Sequence, residues 1–84
     1  MSGDIQLPPQ PPMQGLVIGR IVHYQRYGTP GGEHKAEPSP AIVTSIEFDG
    51  STCNLFVINP NGLYFNKTPY STVPKPGHWS WPPR

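Results

Sequence analysis

Thirteen prolines and nine glycines are spread so densely through 84 residues that only two proline-free stretches exceed fifteen residues, 13–29 and 41–59. Proline inside a helix removes a backbone hydrogen bond and clashes with the preceding turn. Neither proline-free stretch repeats apolar residues at helical spacing, so the chain must fold through strands and turns.

The strands follow from β-branched and aromatic runs between the breakers. Residues 16–24 (LVIGRIVHY) read as a first strand, with Gly19 marking a bulge or sharp bend. Residues 28–40 form a glycine- and proline-rich loop, too long for a hairpin turn. Residues 41–48 (AIVTSIEF) and 52–58 (TCNLFVI) are strands two and three, and Asp49-Gly50 between them spells a type I′ turn. Asn59-Pro60-Asn61-Gly62 turns the chain into a fourth strand, 63–66, and residues 69–77 deliver it to a fifth at Trp79 and Trp81. The expected fold is all-β, a small five-stranded antiparallel SH3-like barrel or curled sheet over residues 16–84. Residues 1–15, with Pro8-Pro9-Gln10-Pro11-Pro12, read as a flexible proline-rich N-terminal arm of polyproline II character.

Alternation assigns faces. Val17, Ile21 and His23 share one side of the first strand, and Ile18, Arg20, Val22 and Tyr24 the other. In the third strand Cys53, Leu55 and Val57 oppose Asn54, Phe56 and Ile58. A chain this small has one core, so apolar residues on a second face imply a subunit interface, a ligand site, or both. A homo-oligomer is expected, because a domain this size buries only about 60–65% of its unfolded surface. Other staples are missing: Cys53 has no partner cysteine and reads as an inert buried thiol, and His23, His34 and His78 lie in separate contexts that do not spell a metal site. His34 reads as a solvated loop residue.

Charge and hydropathy exclude further classes. A net charge of +1 lacks the electrostatic footprint of a duplex nucleic-acid binder. No apolar stretch reaches a membrane span and the first fourteen residues lack signal-peptide character, so a cytoplasmic protein is expected. The carboxylates Asp4, Glu33, Glu37, Glu47 and Asp49 fall in the tail, the long loop, a strand end and a turn, an arrangement that does not spell catalysis or call for a cofactor.

Binding suits the residues better. His23, Tyr24, Tyr27, His78, Trp79 and Trp81 offer planar faces, and Arg20 and Arg26 offer cations. Nucleobases stack on such faces, and arginine grips phosphate in a two-pronged fork. Each residue also has an ordinary reading, since the tryptophans can equally fill a core and His23 can equally be a satisfied strand residue. Trp79 and Trp81, two apart in an extended segment, project to one face. Trp81, beside Pro82, is assigned mainly to the core; Trp79 and His78, after the flexible Lys75-Pro76-Gly77, are the better candidates for ligand contact.

Four blocks in order, Gly19-Arg20-Ile21-Val22-His23-Tyr24, Pro40-Ala41-Ile42-Val43-Thr44, Asn59-Pro60-Asn61-Gly62-Leu63-Tyr64-Phe65 and Pro76-Gly77-His78-Trp79-Ser80-Trp81-Pro82, carry a resemblance to a family of small proteins in bacteriophages and actinobacterial genomes. The resemblance covers about residues 19–82. Family members carry a Trp-x-Trp-Pro ending followed by an acid, whereas here Pro83 and Arg84 follow. The family is similar to the phage nucleotide sponges, which sequester cyclic-nucleotide signals of bacterial immune systems such as CBASS. That similarity implies a phage-encoded, non-catalytic oligomer in the host cytoplasm that binds a cyclic dinucleotide or related signal. Bases would stack on Tyr24, Trp79 or Trp81, and phosphates would pair with Arg20 or Arg26. The alternative is a small adaptor or virion-associated protein binding an extended peptide or partner protein.

Overall fold

In the computed structural model, which describes residues 11–31 and 35–83, the chain forms one five-stranded antiparallel sheet. The strands are β1 (Ile21–Gln25), β2 (Pro38–Ile46), β3 (Cys53–Asn59), β4 (Gly62–Thr68) and β5 (Trp79–Ser80), and no helix occurs among the described residues. Spatial order is β4-β3-β2-β1-β5. The sheet curls without closing into a barrel. A single parallel bridge, Tyr70 with Trp79, ties the segment after β4 to the far edge. Residues 1–10, most of the expected arm, and His34 lie outside the described residues; Met13, at the arm's end, packs against the core and donates its N–H to Gly50.

The core is the concave side of this sheet. Val22 and Tyr24 of β1, Ala41 and Val43 of β2, and Cys53, Leu55 and Val57 of β3 alternate inward, joined by Leu16 and Trp79. Burying an aliphatic side chain of this size contributes about 1.5–3 kcal/mol. Trp79 is the largest fully buried side chain. Its ring stands edge-on to Trp81 at 5.2 Å and lies tilted against Tyr70 at 4.8 Å. Its indole Nε1–H donates to the Ser51 carbonyl at 2.7 Å, linking β5 to the β2–β3 turn.

Several boundaries differ from the sequence expectation. The first strand begins at Ile21, because residues 16–20 make turns in which Gly19 takes a positive φ of 92°. Backbone pairing still reaches past the strand: Gly19 N–H donates to Val43, and Val43 N–H to Arg20. Strand two starts earlier than expected and contains Pro38 and Pro40. Val43 N–H points toward β1, so positions 38 and 40 direct their missing donors the other way. On that side β3 runs on to Asn59, but the prolines offer it no donor, so backbone pairing ends at Ala41 and only the Ser39 Oγ–Asn59 Oδ1 hydrogen bond at 2.7 Å continues the contact.

The β2–β3 connection is not a type I′ turn. Only Gly50 has positive φ there, and Asp49 does not. Gly50 N–H closes the turn on Glu47, while the Asp49 carboxylate accepts from the N–H of Ser51 at 2.9 Å and of Thr52 at 2.7 Å, and from the Thr52 hydroxyl at 2.5 Å. Those donors, the Thr52 hydroxyl foremost, hold the Asp49 pKa below its ordinary value. A register shift between Val43 and Ser45 adds a further reset. Thr44 is the extra residue, so Ser45 pairs with outward Asn54 while Ile46 pairs with inward Cys53.

Candidate ligand groove

The eight residues singled out from sequence do not form one site. Tyr24 and Trp79 belong to the core, 4% and 0% exposed, and are closed to any base. Tyr24 meets Tyr64 edge-on at 5.9 Å, and its hydroxyl accepts from Asn66 Nδ2 at 3.5 Å. The expected division between the tryptophans is therefore reversed. Trp79 sits between β1 and the segment after β4, with the Tyr70 and Trp81 rings against it, whereas Trp81 lies past the end of β5 and keeps part of its ring in solvent.

Arg26 serves the loop. Its N–H and Nε donate to the Glu37 carbonyl at 2.9 and 3.3 Å, and Nη2 pairs with the Glu37 carboxylate at 3.1 Å. These contacts close the base of the long β1–β2 connection. Tyr27 is exposed and places its hydroxyl over Gly77, whose φ of +79° favours glycine, while a Cβ there would push the exposed Tyr27 ring aside. His78 is half-buried, with Nδ1 donating to the Pro76 carbonyl at 3.1 Å. His23 sits on the outer face of the sheet, paired with Pro40 on one side and Ser80 on the other.

Arg20 and Trp81 do come together. They line an open groove of about 780 Å³ with Gln14, Gly15, Ile21, Pro82 and Pro83. Arg20 Nε donates to the Gly15 carbonyl at 3.0 Å, and its Nη donors have no partner among the described residues. Gly15 has a positive φ of 84°, which folds residues 13–16 back beneath the arginine. The groove thus presents a tethered guanidinium, a half-exposed indole backed by a buried one, and two prolines. A second, smaller groove of about 410 Å³, lined by Arg26, Tyr27, Thr29 and residues 59–64, lies toward the other end of β1. Arg26 lies six residue steps from Arg20 along an extended chain, about 20 Å at strand rise, so the two cations cannot serve one small ligand in a single copy.

Compared with protein-family models, curated proteins and solved structures, the chain matches none. The site therefore rests on its own geometry. Sequence reasoning missed Gln14, Gly15, Ile21, Pro82 and Pro83, which carry no chemical signature and become lining only when the two chain ends meet.

The described carboxylates are committed elsewhere. Glu37 and Glu47 are ion-paired, and Asp49 caps its turn. Burial, with the carboxylates of Asp49 and Glu47 adding to it, pushes the Cys53 thiol up to about 11. A thiol that ionises later in the folded than in the unfolded chain leaves stability intact below about pH 9 and erodes it as pH rises toward 11. Tyr64, pushed up to about 12 by burial and its hydrogen bond with Tyr24, acts in the same direction but later. Urea midpoints measured from pH 7 to 11 are expected to fall from about pH 9 in the native chain and only from about pH 10 in Cys53→Ser. Equal pH profiles for the two proteins would refute this account of the thiol.

Proposed function

We propose that the protein is a non-catalytic, phage-encoded binding protein that sequesters a cyclic-nucleotide signal in the cytoplasm of the host cell. The observation that carries the reading is the meeting of Arg20 and Trp81 across one groove. Its 780 Å³ falls in the size range of small-molecule sites. An indole face accepts a base of any identity, and a guanidinium held through Nε keeps its remaining donors for a phosphate. The ligand class follows from the resemblance of the four sequence blocks to a family of small phage and actinobacterial proteins and from that family's similarity to the nucleotide sponges; the seat follows the groove. One cation per groove fits one phosphate per protomer, so a cyclic dinucleotide calls for two grooves or a second contact from another copy. Sequestration requires affinity and abundance, not turnover.

Calorimetry against a panel of cyclic mono- and dinucleotides tests the reading. Binding is expected for at least one member, with the ligand recovered chemically intact by chromatography. A panel that stays unbound at high micromolar protein, or a ligand released altered, defeats it. The adaptor or virion reading draws on a different surface, the exposed apolar outer face of the sheet. Capture of a partner protein that Arg20→Ala leaves unaffected would favour it.

A further inference from the structure

The convex face of the sheet carries more apolar surface than a solitary domain of this size needs. Strand register lines up Ile21, Ile42, Phe56 and Phe65 as one row across β1, β2, β3 and β4. Phe56 and Phe65 stack at 5.1 Å, yet Phe65 remains 76% exposed and Ile21 58%. Two residues along the strands, Ile58 pairs with Leu63, 37% and 63% exposed, and Pro40 lies just past the last β2–β3 pair. On the other flank of the row sits a polar bar. Asn54 Nδ2 donates to Ser45 Oγ at 2.6 Å and to Glu47 at 2.8 Å, and Lys67 lies 3.6 Å from Glu47.

We infer that this face is the interface between two copies of the chain. A base-stacking platform is disfavoured, because the aromatic pair is surrounded by aliphatic residues and the one lysine beside it is already paired. A second copy fits because the face is self-complementary. A two-fold axis running along β3 exchanges β2 with β4. It sets Phe56 against Phe56, Phe65 of each copy over Ile42 of the other, Leu63 over Pro40, and Lys67 over Ser45, diagonal to the Glu47 two residues further along β2. Apolar thus meets apolar across β2, β3 and β4, while Ile21 of β1 lies beyond the edge strand of the facing sheet, and each charge has its opposite within diagonal reach. The covered side chains, Phe65, Leu63, Ile58, Phe56, Ile42 and Pro40 with the polar bar as rim, make an interface at the small end of the range, below the ~800 Å² per partner of a standard one. The inference is independent of the ligand in the groove.

Sedimentation equilibrium at roughly 100 μM, above the micromolar dissociation constants such interfaces reach, is expected to return twice the 9.3 kDa chain mass. Phe65→Glu should weaken the dimer by roughly 30-fold or more, as for an interface hot spot. Val73→Glu, at an exposed residue outside the face, should leave it intact. Unchanged near-ultraviolet circular dichroism confirms that each variant is folded. Glu47→Lys and Lys67→Glu should each dissociate the dimer, and mixing the two should restore it, because opposite charges then face each other across the axis. A monomeric native chain, a dimer that survives Phe65→Glu, or a mixture that stays monomeric overturns the inference.

Discussion

Trp79→Ala is expected to leave the protein largely unfolded at room temperature. Truncating a fully buried tryptophan costs about 3–5 kcal/mol through lost burial and the cavity left behind. The Ser51 carbonyl also loses its indole donor, adding about 1 kcal/mol or more. A domain this small sits near the low end of the usual 5–15 kcal/mol of stability, so the combined loss consumes most of it. Trp79→Phe should stay folded while losing about 1–3 kcal/mol, since a ring still fills the space beside Tyr70 and Trp81 but donates nothing. Trp81→Ala should cost less than Trp79→Ala, because Trp81 is only partly buried. Urea denaturation followed by near-ultraviolet circular dichroism ranks the three. Equal stability for Trp79→Ala and Trp81→Ala would show that Trp79 is not the keystone of the core.

Arg20→Ala is expected to lower nucleotide affinity by about 10- to 100-fold with little change in stability, the worth of one charge-assisted hydrogen-bonding group. Arg20→Lys should recover only part of this, because an ammonium has no fork and no Nε to tether to Gly15. Affinity should also fall with added salt, since the groove is open and its charge is screened. Trp81→Ala should lose a comparable factor by removing the stacking face, about 1–3 kcal/mol per base. Arg26→Ala provides the contrast: binding unchanged, with the loop base loosened where Glu37 loses its partner. Calorimetry of these variants against one cyclic nucleotide decides the matter. Native affinity in Arg20→Ala, or a large loss in Arg26→Ala, would move the ligand out of this groove.

Much of the fold is legible before any coordinates. Cys53, Leu55 and Val57 alternate inward as their spacing requires, because a strand has a strict period of two and one face of a small sheet must be buried. The Asn59-Pro60-Asn61-Gly62 turn is equally local in origin, with Asn59 and Gly62 paired across it. Where local rules failed, a neighbour had altered the requirement. Pro38 and Pro40 entered β2 because its other neighbour, β1, pairs with residues 38–42 without needing an N–H at positions 38 and 40, and Ile46 turned inward because Thr44 is an extra residue opposite β3. Neither the reach of a neighbouring strand nor a one-residue slip is written in the strand it affects.

The same distinction governs the binding residues. Sequence alone determined that helices are excluded, that five short strands alternate, and that aromatic and cationic side chains outnumber what one core can use. It also placed Trp79 and Trp81 on one side of their strand, since that relation depends only on the backbone period. Which of the two is buried was decided by the tertiary structure. The concave sheet closes over the ring lying between β1 and the bridge at Tyr70, and it leaves the next one at the rim, beside an arginine 61 positions earlier in the chain. Burial is a property of what surrounds a residue, and for these two indoles decisive surroundings come from distant positions, β1 and Ser51 for Trp79 and residues 14–21 for Trp81.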